Sequence, residues 1–140
     1  MNKMRLCSAC LLGVRCRWNG QSKLSEKIIA LSKKEVLIPV CPEQLGGLPT
    51  PRAPSEQRGD RIFTSDRRDV TEQFRKGAEE VLHIAKTLEI KEAIMKQKSP
   101  SCGCGKIPDG NFSDKLIAGD GITTALLKKN GIKVISEGDL

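Results

Sequence analysis

Aromatic rings are nearly missing from this chain, which has three phenylalanines, one tryptophan and no tyrosine in 140 residues. A surface of many rings, of the kind that stacks single-stranded nucleic acid, is therefore not expected. Histidine is as scarce, with His83 alone. It follows Phe74 at a spacing that sets it about half a turn from the helix's apolar stripe, so it should face solvent, and histidine-based catalysis is not expected. No apolar run approaches the roughly 18 residues of a membrane span. The opening Met1–Leu6 runs into Cys7 without an apolar signal region. A cytoplasmic location with no membrane partner is the expectation.

Sulfur and positive charge are what the chain does have. Six cysteines in a reducing compartment favour metal or thiol chemistry over a disulfide framework. The net charge of +7 permits an anionic partner, RNA included. The cations are scattered, however, in pairs such as Lys33–Lys34, Arg67–Arg68 and Lys128–Lys129, and read as an ordinary basic surface. The length suits one domain, residues 1–140, with a modest core.

Hydrophobic periodicity predicts the order of elements. Met4–Ala9 reads as a strand. Leu24, Ile28 and Leu31 predict a helix from Gln21 or Ser22 to about Lys34. Val36–Val40 reads as a strand buried on both faces, with Pro39 as a complication. Gln44–Gln57, rich in proline and glycine, reads as a long irregular loop, which in a compact domain usually carries function. Arg61–Thr64 and Arg68–Val70 predict a small hairpin. A helix over Thr71–Leu88 follows, opened by an Asp69/Glu72 capping box and striped by Phe74, Ala78, Val81, Leu82, Ala85 and Leu88. Glu92–Met95 and Ile132–Ser136 read as strands. Between them lie a turn-rich loop, Ile107–Ser113, and a helix, Ile122–Lys129, capped by Asp120. This alternation predicts an α/β, Rossmann-like three-layer fold with a mainly parallel sheet and right-handed crossovers.

Ligands of such sheets bind beyond the carboxyl ends of the strands. Cys10 follows the first strand, Cys41 ends the second, and Cys102 follows Glu92–Met95 in the loop Lys98–Gly105. All three thiols should meet on one rim. Three thiolates make a metal site with an incomplete shell. Iron–sulfur clusters are held by thiolates, and a four-iron cube with three cysteine ligands keeps one iron open for a soft substrate atom such as sulfur.

Seven segments carry a resemblance across nearly the whole chain: Ser8–Gly13, Cys16–Gly20, Val40–Glu43, Gly46–Arg52, Lys98–Gly103, Asp109–Ser113 and Gly119–Ile122. In them the chain resembles the thiouracil desulfurase family, although that family usually has tyrosine and aspartate where this chain has Trp18 and Asn19. The resemblance implies a 4Fe–4S cluster on Cys10, Cys41 and Cys102, and non-redox conversion of 2-thiouracil to uracil and sulfide. With an open iron polarising the carbon–sulfur bond, Glu43, two residues from Cys41, is the candidate general base or proton shuttle, and Ser99 or Ser101 the residue that positions substrate or relays the proton. Arg52 either orients an anion or braces its loop. Phe112 either stacks on the flat base or serves the core.

Other assignments compete. Cys104 competes with Cys102, which motif position favours. Cys16 reads as a structural or nearby free thiol. A non-catalytic zinc module on Cys7, Cys10, Cys102 and Cys104, with RNA as its candidate partner, is the alternative function. A thiol oxidoreductase using Cys7 and Cys10 is a third. Yet Cys7 falls inside a strand, where a thiol more often acts as a small core residue, and Glu43 has a plain alternative as the ion-pair partner of Arg52.

Overall fold

The computed structural model describes residues 3–140. Its centre is a sheet of four strands: β1 (Met4–Ser8), β2 (Val36–Val40), β5 (Glu92–Met95) and β8 (Lys133–Ser136). All run parallel, in the order β2-β1-β5-β8. Alternation along the strands splits the core in two. Leu6, Ala93, Met95 and Val134 point to the face covered by α3 (Thr71–Thr87) and α4 (Ile122–Lys129). Cys7, Ile94 and Ile135 point to the face covered by Ile28 of α1 (Glu26–Ser32). The result is the expected three-layer, mainly parallel α/β architecture. The chain runs outward from β1 to β2 and then crosses back to β5, so the strand order reverses between β1 and β5. Cavities form at such a switch point.

Several expected boundaries move, each for a physical reason. Helix α1 begins at Glu26, where the Ser25 hydroxyl accepts the Ile28 N–H. The residues before it are tied elsewhere, Lys23 N–H to Cys10 O and Ser25 N–H to Leu11 O, which leaves Leu24 outside the helix and exposed. Strand β2 is an edge strand rather than one buried on both faces. Its free side explains why Pro39, which has no N–H to donate, is tolerated. Leu88 lies past the end of α3 and is exposed. His83 faces solvent.

The stretch expected to be an irregular loop overlaps the end of α2 (Pro42–Leu45) and most of β3 (Ser55–Arg58). Strand β3 pairs antiparallel with β4 (Arg61–Thr64), so the hairpin partner lies upstream. Gly59, at φ 63°, opens the two-residue turn between them. Arg68–Val70 adds only an isolated bridge, Phe63 to Asp69, and neighbouring backbone bonds. Asp69 does accept the Thr71 N–H at 2.9 Å, but Glu72 pairs with Arg75 instead of closing the box. The segment after the cysteine loop forms a second hairpin, β6 (Lys106–Pro108) with β7 (Leu116–Ala118). Asp120 does not cap α4: it accepts the Gly105 N–H and pairs with Lys128. Carbonyls of Pro100 and Ser101 receive the first N–H groups of α4 in its place.

Candidate active site

A cavity of about 760 Å³ lies at the carboxyl edge of the sheet, lined among others by Cys10, Cys16, Cys41, Glu43, Ser99 and Cys102. Cys10 enters from the tight turn Ala9–Leu12 after β1. Cys41 stands between β2 and α2. Its Sγ donates to Cys16 O at 3.7 Å and reaches Glu43 Oε1 at 4.0 Å. Cys102 follows β5. The three thiols expected on one rim therefore share one cavity, and a fourth joins them. Cys16 lines the same cavity, and its backbone carbonyl accepts the Cys41 thiol. Only its place in the same loop as Cys10 hinted at this.

Two kinds of contact hold these residues. Helix α2 lies backbone to backbone on α3. A Cβ on Gly46 would stand 1.9 Å from Gln73 O, and one on Gly77 would stand 1.9 Å from Pro42 O. No other residue fits at either position, and this contact sets the height of Cys41 and Glu43. The Cys102 loop is held instead by hydroxyls. Ser99 Oγ accepts the N–H groups of Ser101 (3.1 Å) and Cys102 (3.0 Å). The wholly buried Ser101 Oγ meets Thr123 Oγ1 at 2.7 Å, and Thr124 Oγ1 donates to Cys102 O at 2.8 Å. Of the two serines, Ser99 lines the cavity, with its own O–H still able to donate. Ser101 does not line it and is committed to α4.

Arg52 both lines the cavity and braces it. One guanidinium nitrogen donates to Cys16 O (3.0 Å), Pro49 O (3.3 Å) and Thr50 Oγ1 (3.1 Å), and the other lies 3.7 Å from Glu43 Oε2. Glu43 thus has the ion pair expected of its plain reading while still lining the cavity. Burial pushes its carboxyl up from the ordinary range, opposed by the Arg52 charge. Phe112 and Trp18 line the outer part.

Three of the cavity thiols, Cys16, Cys41 and Cys102, are pushed toward their neutral form. Hydrogen bonding to Cys10 pushes Cys16 up to about 11. The Cys16 thiol and burial raise Cys41 further, while burial followed by the Glu43 charge raises Cys102. Such thiols are poor free nucleophiles. A multiply charged soft metal centre supplies the compensating charge and deprotonates its ligands outright. Cysteine sulfur arriving from three separate loops around one cavity is the donor type that iron–sulfur groups take, so the residues present fit such a group.

The competing sets do not assemble. Cys7 is wholly buried in the sheet, its Sγ donating to Ser8 O at 3.6 Å, and burial pushes it up to about 12. That is the wrong direction for a redox-active thiol. Cys104 turns away and donates to Val134 O at 3.6 Å. Neither lines the cavity. Among the described residues no three His, Cys, Asp or Glu side chains converge closely enough to hold a single metal ion, so the four-cysteine zinc site is not formed.

Fold and site together define an α/β protein with a thiol-lined, carboxylate-bearing cavity at its strand ends, the setting of a sulfur-ligated metal enzyme. A family model described as 2-thiouracil desulfurase matches residues 6–139. The uncharacterized protein YbbK of Bacillus subtilis (strain 168) is 44% identical over 147 residues, which span 98% of this chain and 97% of that protein. A solved structure of a [4Fe-4S]-dependent thiouracil desulfidase, TudS, superposes with a TM-score of 0.93 at 44% identity, covering 99% of this chain and 93% of that one. The chain belongs to the 2-thiouracil desulfurase family. It is an enzyme of carbon–sulfur bond cleavage. Among the described residues no helix is long and apolar enough to cross a membrane.

Proposed function

We propose that this chain converts 2-thiouracil, or a related small thiolated pyrimidine, to the oxo base and sulfide without net redox, using a [4Fe–4S] cluster held by Cys10, Cys41 and Cys102 with one iron not ligated by protein. The observation that carries this reading is the convergence of those thiols with Glu43 and Ser99 in one cavity at the switch point of the sheet. When bound, the cluster supplies a Lewis-acidic iron matched to the soft thiocarbonyl sulfur.

The chain's own groups do the rest. Glu43 takes a proton from the water that attacks the thiocarbonyl carbon and returns it as the sulfur leaves. Arg52, 3.7 Å away, keeps that carboxylate in place without filling its second oxygen. Ser99 donates its O–H into the cavity and holds the Cys102 loop with the same oxygen. Ser101 positions the loop from behind. Phe112 lies against the flat ring.

The test is anaerobic reconstitution of wild type and Glu43→Gln, with iron and sulfide counted and uracil measured. The variant should keep its cluster and lose turnover by roughly a hundredfold or more. Full turnover in the variant would end the role given to Glu43. Single Cys10, Cys41 and Cys102 to Ser variants should each lose iron, and Cys104→Ser should not.

A further inference from the structure

In a chain with one tryptophan and three phenylalanines, burying every ring would be the cheapest use of them. Phe74 is buried as expected, at 2% exposed. Trp18 and Phe112, however, stand 44% and 38% exposed, and both line the cavity that holds the thiols. They are not loose surface residues, because both are fixed through a single segment. Arg52 N–H donates to Trp18 O at 2.8 Å. Four residues on, Glu56 Oε1 accepts the Phe112 N–H at 3.1 Å and the Gly110 N–H at 3.0 Å. Phe112 sits at φ 53° to make that contact, a backbone state that a bulky residue adopts only when its surroundings impose it. Arg52 to Glu56 themselves line the cavity. Even fully extended they span at most about 14 Å. One strut thus ties down the backbone of Trp18 at one end and of Phe112 at the other, and both residues are far more exposed than the thiols, which are 2–7% exposed at Cys10, Cys16 and Cys102.

From this placement we propose that Trp18 and Phe112 form an aromatic slot at the cavity mouth for the face of a planar heterocycle, and that Trp18 sets the preference for flat ring thioamides. The proposal rests on the functional reading above for its substrate. It adds the residue that recognises the ring as distinct from those that act on its sulfur. An indole presents a wide, rigid π face at little entropic cost, and stacking of a base on such a ring is tolerant of its substituents.

The experiment uses cluster-loaded protein in the Glu43→Gln background, in which bound 2-thiouracil persists. Binding of 2-thiouracil and of uracil is measured by equilibrium dialysis for the parent and for Trp18→Phe, Trp18→Leu and Trp18→Ala, with iron counted in each. Trp18→Leu keeps apolar bulk but has no π face. Trp18→Leu and Trp18→Ala should bind roughly tenfold to a hundredfold more weakly, with Trp18→Phe within about threefold of the parent and iron content equal throughout. In the Glu43 parent sequence the same substitutions should raise KM and leave kcat nearly unchanged.

Equal binding by Trp18→Leu and Trp18→Phe, or no binding of either heterocycle to the parent, would overturn the slot. The two readings fail separately. Turnover with a KM indifferent to Trp18 removes the slot and keeps the desulfurase. Ring-dependent binding without turnover by the wild type does the reverse.

Discussion

The floor and the mouth of the cavity are built by different means. The floor is fixed by close backbone contacts and by buried hydroxyl bonds. Gly46 and Gly77 bring α2 onto the backbone of α3, and a Cβ on Gly121 would stand 2.4 Å from the Ser101 backbone. The mouth is held by a handful of hydrogen bonds centred on Glu56, Arg58 and Asp109, and residues 111–118 are all exposed. A floor that must present several thiols in one geometry gains from rigidity, since a ligand set displaced by even a small amount binds its metal poorly. A mouth that admits and releases a small ring has no such need. Loops of low contact density open most readily.

The hardest break in this contrast is Gly77→Ala. The position lies in a helix interior, where alanine is normally the better residue by about 1 kcal/mol. Here the added methyl would meet Pro42 O at 1.9 Å. The outcome should be destabilisation by about 3 kcal/mol or more, read as a fall in denaturation midpoint, together with loss of iron binding because Cys41 rides on α2. A more stable Gly77→Ala variant would mean that α2 does not sit on α3 as described. By contrast, Asn111→Ala at the mouth should change neither stability nor iron content measurably.

The same division explains what the sequence made legible. The four strands of the central sheet, the α3 helix and the position of Cys10, Cys41 and Cys102 past strand ends were readable because short-range pattern encodes them: period, turn residues, and cysteine just past a strand end. Contacts between distant segments were not. Nothing local says that Gly46 and Gly77 touch, that Cys16 turns in toward Cys10 and Cys41, or that Ser101 points to Thr123. The hairpin was misplaced because the prolines upstream argue against a strand, yet one begins just after Pro54. Asp120 has the right residue type and place for a cap, but loop carbonyls that arrive through the fold occupy the N–H groups it would have served.

The two serines offer a finer cut within the floor. Ser101→Ala leaves Thr123 Oγ1 without its 2.7 Å partner, a loss of about 1–2 kcal/mol for a buried pair. It should leave kcat within a few-fold of wild type by the usual latitude of a residue that touches no substrate. Ser99→Ala removes the acceptor of two N–H groups and a hydroxyl facing the cavity, so turnover should fall far more than stability does. Measuring melting temperature and kcat on both variants checks the assignment, and the reverse pattern would exchange their roles.

The smallest expected effect comes from a surface charge away from the floor. Asp69, at the start of α3, accepts hydrogen bonds from Thr71 and lies 3.0 Å from Arg61 Nε. The Thr71 hydroxyl first and the Arg61 contact next hold its carboxyl down to about 2. A depressed carboxylate stabilises the folded state fully above its unfolded value, about 4, and that contribution drains away as pH falls from there toward 2. Asp69→Asn keeps the shape and an acceptor but loses the charge. It should therefore melt slightly below wild type at pH 7, with the gap closing between about pH 4 and pH 2. The group is exposed and screened, so added salt should shrink the gap at neutral pH as well. Substitutions in the glycine contacts of the floor should show neither dependence, because excluded volume does not titrate. A Gly77→Ala defect that faded in acid or salt would place electrostatics, not packing, beneath the thiols.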